Sequence, residues 1–313
     1  MHILHLASDL GPTSVGRRLS YLVPLLQSTG TQTIGNLGGD FPFGDVIRNA
    51  GITPISLRIR YPFDLGGAMA LRRCVANAKP DVVHLWGEHH RITRFALRDW
   101  TVISPKLSSL VLPHGQPLPR AEARLKLGLS ETARIIVTVD RFETVDAIRN
   151  AFWAIDLMKP TSPDYVLLIL GDGPARATVE AFARKLGADD NRARFLGIRN
   201  DVPDILAAAD VAWNTRTSGG LHFTAEAMAH GLPVVGFTRH AGLSPYVKDG
   251  VTGSLAADTF KLAGATHMLF ENGNKRVTMG QAGMKLIAET VSTPEVEADR
   301  LVKEYASVSA NRP

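Results

Sequence analysis

Short apolar runs alternate with amphipathic stretches along the whole 313-residue chain. That is the pattern of parallel strands buried on both faces by crossover helices, and it confines the fold to the α/β class. In the first half, strands are expected at residues 2–6, 32–36, 53–57 and 82–85, with helices at about 14–28 and 66–78. Two shorter apolar runs at 101–104 and 110–112 close that half. Residues 113–119, PHGQPLP, are too rich in Pro and Gly to extend a strand or helix and read as a linker. The second half restarts the alternation with ARIIVTVD, YVLLILGDG, ARFLG, ADVAWNT and LPVVGF as strands. Helices are expected between them at 145–158, 175–186, 202–208 and 223–230, then near 258–270, 276–289 and 294–308. The expectation is two doubly wound, Rossmann-like domains facing a cleft, over 1–115 and 116–293, followed by a terminal helical segment over 294–313. In such sheets ligands bind outside the carboxyl ends of the strands.

Composition narrows the setting. With 45% apolar and 21% charged residues, the chain has the make-up of a globular protein rather than a disordered one. No apolar run is long enough to span a bilayer, and MHILHLASDL lacks the basic start and cleavage site of a signal peptide. Cys74 stands alone, so no internal disulfide forms, and a reducing, cytoplasmic setting is expected. The net charge of +5 suits an anionic ligand or peripheral contact with acidic lipid headgroups, and equally a plain basic surface. Basic residues are not gathered into a stripe with aromatics, which argues against nucleic acid as a partner.

The strongest local signal is TSGGLHFTAEAMAHGLPVVGF, residues 217–237. A Ser-Gly-Gly loop follows a strand and opens into a helix, so the amides of Gly220, Leu221 and His222 could point at an anion where the helix dipole also favours one. Glu226 lies four residues beyond His222, on the same helical face. Ribose hydroxyls would satisfy a carboxylate there. The alternative is an exposed helix residue behind a tight glycine turn.

This segment resembles the signature of the family 4 (group 1) glycosyltransferases, which have the GT-B fold. EAMAHGLPVVG at 226–236 carries the match, with LGDGPAR at 170–176, FLGIRNDVPDILAAADV at 195–211 and VKDGVTGSL at 247–255 in the same order. PDVVHLWG near the front is a weaker likeness. The resemblance implies a sugar-nucleotide donor site in the second domain and an acceptor side in a shortened first domain. It gives Glu226 the donor ribose, puts Gly219, Gly220, Leu221 and His222 against the donor phosphates, and assigns Arg141 to the diphosphate. Arginine suits that task because its planar fork holds two oxygens and stays charged. Gly171, Gly173, Gly197 and Ile198 would shape the nucleotide pocket. The last helix either crosses back onto the first domain, as in GT-B proteins, or simply caps the second.

The departures from the family pattern are specific. Ser218 stands where the first Glu of the pair is expected, Gly220 replaces a Phe, Asp140 replaces the Gly before Arg141, and Asp146 replaces a Lys. Pro245 replaces a Glu, and Gly11-Pro12-Thr13 replaces a Gly-Gly loop. His89 and His90 are the available bases after the fourth strand, against a reading as solvated loop histidines; Ser218 is the other catalytic candidate, and His114 reads as structural. GDGPARA has too few glycines for a dinucleotide fingerprint, and no metal-ligand spacing is present. The expected activity is transfer of a sugar from a nucleoside-diphosphate sugar to a carbohydrate or lipid-linked acceptor, retaining and without a metal or cofactor. The rival is a catalytically impaired binding or regulatory module of the same fold.

Overall fold

In a computed structural model of the chain, the described residues are 1–11, 14–57, 59, 61, 63–87, 89–104, 112, 117–162, 164–188, 192–217, 219–240 and 242–310. The chain divides into two compact units, one of residues 1–114 with 292–313 and one of residues 115–291.

The first unit runs β1 (His2–Ala7), α1 (Ser14–Leu26), β2 (Thr31–Asn36), α2 (Phe43–Asn49), β3 (Ile55–Ser56), α3 (Leu65–Ala78), β4 (Val82–Trp86), α4 (Arg91–Ala96) and β5 (Val102–Ile103). The second runs α5 (Arg120–Lys126), β6 (Arg134–Val139), α6 (Asp146–Met158), β7 (Tyr165–Leu170), α7 (Arg176–Lys185), β8 (Ala193–Gly197), α8 (Val202–Ala208), β9 (Val211–Asn214), α9 (Leu221–Ala229), β10 (Val234–Phe237), β11 (Gly253–Ala256), α10 (Thr259–Glu271) and α11 (Gly273–Thr290). The chain then returns to the first unit through α12 (Pro294–Ala310).

Among the described residues each unit has one parallel sheet, ordered β3-β2-β1-β4-β5 in the first and β11-β10-β9-β6-β7-β8 in the second. Both are doubly wound orders. In each, the order reverses between the unit's first and fourth strands, β1/β4 and β6/β9, and those are the points where ligands enter such sheets. Central strands are buried throughout because helices cover both faces: every residue of YVLLIL in β7 and VVHLW in β4 is buried.

Three readings from sequence differ from the structure, and one more lies mostly outside the described residues. A sixth strand in the second unit, β11, is short and polar enough (GSLA) to read as loop. The expected strand at 53–57 reduces to Ile55–Ser56. The run at 110–112 falls mostly outside the described residues, and Leu112 belongs to no strand. Helix α9 begins at Leu221, two residues earlier than the apolar pattern suggests.

Helix α12 covers the first unit's sheet with Leu301 and Tyr305, both fully buried. The Tyr305 hydroxyl lies 2.6 Å from His84 Nδ1, and the His84 ring stacks on Trp86 at 4.1 Å. Trp86 Nε1 donates to His5 Nδ1 at 3.0 Å, so four aromatic side chains form one polar seam inside an otherwise apolar core. Glu297, 2% exposed, anchors the helix start by taking Arg300 through both carboxylate oxygens. No helix among the described residues is long and apolar enough to cross a membrane.

Candidate functional site

The second unit's switch point lies between the loops that follow β6 and β9. The β9 loop is built around Asn214, which is buried. Its side-chain amide donates to the Gly219 carbonyl at 3.3 Å and to Thr224 Oγ1 at 3.1 Å, while its Oδ1 accepts the Arg216 amide at 3.3 Å. The Gly242 amide donates to His240 Nδ1, so the proton sits on Nε2, which donates to the Gly219 carbonyl at 2.7 Å. The turn so pinned needs two left-handed residues in a row, Gly219 at φ 76° and Gly220 at φ 72°. A Cβ on Gly220 would also meet Asn214 Nδ2 at 2.9 Å. Glycine is required at both positions, and no side chain caps the helix that follows.

Leu221 and His222 open α9, so their amides belong to its first turn, where helical amides have no intrahelical acceptor. The helix is buried from Phe223 to Met228 and closes in a Schellman motif. In it the Gly231 amide reaches the Met228 carbonyl at 2.9 Å and the Leu232 amide reaches Ala227 at 3.0 Å. Glu226 is 1% exposed. The alternative of a solvent-facing helix carboxylate is thereby overturned, because the helix is buried all round from Phe223 to Met228. Ser218 lies outside the described residues.

The β6 loop is shaped by Asp140, 3% exposed, whose Oδ1 accepts the Phe142 amide at 2.7 Å. Phe142 is wholly buried at a left-handed φ of 43°, a strained conformation for a bulky residue that its core packing and this hydrogen bond hold in place. With Asp140 and Phe142 both turned inward, Arg141 between them is turned out. Its side chain is 59% exposed and pairs with Glu143 at 3.2 Å. Asp146, at the family's Lys position, is also exposed and pairs with Arg149 at 3.1 Å. Burial raises the Asp140 carboxyl above its ordinary pKa, against the pull of the Phe142 amide and of Arg216.

The GDG segment presses onto this loop. Gly171, at φ 109°, would place a Cβ 1.8 Å from the Asp140 carbonyl, and Gly173 would place one 1.9 Å from that of Arg141. The Gly171 amide also donates to the Gly197 carbonyl at 2.7 Å, and Gly197 (φ 70°) leads into half-buried Ile198. These glycines are set by loop-on-loop contact. Gly171→Ala should therefore cost about 2–3 kcal/mol, read as a lower denaturant midpoint, whereas a cost under about 0.5 kcal/mol would contradict the geometry.

A hollow of about 470 Å³ opens at these strand ends, lined by Asp140, Asp146, Thr215, Arg216, Thr217 and Arg239 among others. Arg141 does not line it. The half-buried guanidinium there is Arg216, 14% exposed, whose Nη1 donates to Asp140 Oδ2 at 3.2 Å. Arg239 lies over the Phe237 ring at 3.8 Å. Neither arginine was singled out from sequence, although Arg216 stands two residues past a strand at the sheet's switch point and that position was the available signal.

In the first unit, Gly87 (φ 87°) lets the β4 loop close on the β1 loop, since a Cβ there would meet Ser8 Oγ at 2.3 Å. His90 is exposed and starts α4. His89 is half-buried with both ring nitrogens out of solvent, so it is no solvated loop residue, and burial depresses its pKa to about 4. His114 lies outside the described residues. Among the described residues, no group of three or more His, Cys, Asp or Glu side chains gathers as a metal site would.

Comparison with known proteins agrees with this architecture. Residues 133–272 match the family described as Glycosyl transferases group 1. The N-acetyl-alpha-D-glucosaminyl L-malate synthase of Bacillus anthracis is 27% identical over 60% of this chain and 48% of its own length. The GDP-mannose-dependent alpha-(1-6)-phosphatidylinositol monomannoside mannosyltransferase of Mycolicibacterium smegmatis is 30% identical over 68% of this chain and 59% of its own. The chain thus spans about half the length of the curated relatives it matches. The crystal structure of Anabaena HepE in complex with UDP and glucose superposes with a TM-score of 0.76 at 17% identity, covering 98% of this chain and 99% of that one. Residues 133–272 are thus similar to the group 1 glycosyl transferases, and the two parallel-sheet units of the chain have the GT-B fold.

Proposed function

We propose that the protein transfers a sugar from a nucleoside-diphosphate sugar to a carbohydrate or lipid-linked acceptor bound by the first unit. In that reaction the anomeric C–O bond to the diphosphate breaks and a C–O bond to an acceptor hydroxyl forms. The hydroxyl proton passes to the departing diphosphate or to a base, and the anomeric configuration is retained. The developing charge on the diphosphate is met by protein groups without a metal ion or cofactor.

The observation that carries this reading is the β9–α9 turn. Two left-handed glycines open a helix with no side-chain cap, and a carboxylate is buried one turn inside it. In the proposal, phosphate oxygens seat on the amides of Leu221 and His222, where the helix dipole stabilises them, and Glu226 accepts hydrogen bonds from the ribose. Support for the donor class comes from HepE, solved with UDP and glucose, and from the mannosyltransferase relative, GDP-mannose-dependent by name. That relative's phosphatidylinositol monomannoside acceptor supports a lipid-linked one here.

Uridine, guanosine and adenosine diphosphates and their hexose conjugates, tested by thermal shift and titration calorimetry, check the site. One base should bind, and Glu226→Gln, which keeps the shape and removes the charge, should weaken that binding by about 10–100-fold. Release of sugar from the conjugate then distinguishes an enzyme from a binding module. Absence of binding across the panel, or a silent Glu226→Gln, would defeat the assignment.

A further inference from the structure

We infer that Arg216, held in place by Asp140, is the guanidinium that meets the donor's diphosphate, replacing the two basic positions of the family pattern. The inference rests on the donor reading above and goes further by assigning the charge.

Neither family position turns a cation into the hollow, which Asp146 and Glu143, the partner of Arg141, both line. Arg141 is turned outward onto Glu143, and the Lys position holds Asp146, itself paired with Arg149. A pyrophosphate seated on the α9 amides, beside a hollow lined by Asp140, Glu143 and Asp146, would without a cation meet uncompensated negative charge, which is costly. Arg216 supplies one at the point where the sheet order reverses. It stands directly beside the glycine turn: a Cβ built on Gly219 would lie 3.7 Å from its Nε, and one on Gly220 would lie 3.5 Å from its Cδ. Phosphate oxygens on the first amides of α9 would therefore come within reach of the guanidinium.

Asp140 explains why the other departure matters. The family has Gly there, and the structure has a buried carboxylate that spends one oxygen on the Phe142 amide and the other on Arg216. The pair fixes a long side chain before any ligand arrives, so less rotamer freedom is lost when one binds. Asp140→Gly would return the family residue and release the arginine. Arg216 is thus a specificity-determining residue for a doubly charged leaving group, and Asp140 is its positioning residue. Arg239, stacked on Phe237 on the same wall, has no carboxylate within ion-pair distance among the described residues and adds positive potential.

The test compares each nucleoside diphosphate with its matching nucleoside, by calorimetry on the full chain. For the base that wild type prefers, Arg216→Gln should lower diphosphate affinity about 30-fold or more and leave nucleoside affinity unchanged. A structural role alone would move both together. Arg216→Lys keeps the charge and the pairing with Asp140 but loses the fork, and should fall between; it also serves if the Gln variant is poorly folded. If wild type binds a diphosphate and Arg216→Gln and Arg216→Lys bind it equally well, this inference fails and the donor reading stands. It fails likewise if Arg141→Gln costs as much as Arg216→Gln. If wild type binds neither diphosphate nor nucleoside, both fall together.

Discussion

Replacing Asp210 by Ala should cost the second unit about 3–5 kcal/mol, the range for breaking a buried ion pair and stranding its partner. Asp210 stands where β9 begins, at the opposite end of the sheet from the glycine turn. One carboxylate oxygen takes Arg120 at 2.6 Å; the other takes Arg124 at 3.0 Å and the Ile135 amide at 2.8 Å. Arg124 is 3% exposed and spends its remaining donors on the carbonyls of Ala208, Ser130 and Glu131, tying α5 to the strand entrances. Removing the carboxylate leaves that guanidinium buried beside backbone oxygens alone. Chemical denaturation should show a lower midpoint with the slope preserved, and Asp210→Asn, which keeps an acceptor for Ile135, should cost less. A loss below about 1 kcal/mol for Asp210→Ala would mean the pair contributes little.

The first unit should lose stability steeply in mild acid. His5 and His84 are fully buried in the seam beneath α12. Burial, partly opposed by the hydrogen bond to Gln32, depresses His5 from 6.5 to about 4. His84 is held well below its ordinary range, chiefly by burial and then by the positive charges around it, including Arg300 and Arg18. An unfolded chain takes up these protons near pH 6.5, and the folded one refuses them until far lower. Between those values the unfolded state binds more protons, so stability is complete above pH 6.5 and falls as pH drops toward 4. His5 alone contributes about 3 kcal/mol to that fall, at 1.36 kcal/mol for each unit of pKa difference. Amide exchange in β1 and β4, measured from pH 7.5 down to 4.5 and corrected for intrinsic rates, should lose protection progressively. Protection that stays constant over that span would contradict the assignment of neutral, buried imidazoles.

The sheet was legible where burial is total. A strand such as YVLLIL needs no alternation because helices cover both its faces, and its length and flanking glycines identify it. Short elements carried a weaker signature, so α2, α4, α5 and β11 were not anticipated, whereas α8, equally short, was. The glycine turn and Glu226 were readable because their spacing is local, within one strand–turn–helix unit. The outward orientation of Arg141 was not, since motif position alone cannot register which way a side chain turns. Arg141 is displaced by its neighbour Phe142, whose ring packs in the core near Phe195 at 6.1 Å, and that packing joins residues far apart in sequence. Asp140 and Asp146 looked like two losses from a pattern. In space one is a buried ligand for Arg216 and the other a surface residue neutralised by its own helix.

The return of α12 has a consequence for how the chain is made. During synthesis residues 1–114 precede by the whole second unit the residues 292–313 that complete their own unit. Until then, the sheet carrying His84 and Trp86 lacks the Leu301 and Tyr305 side chains that cover it, and its apolar face stays open to chaperones and to aggregation. The unit that begins first is therefore closed only after its neighbour has been translated.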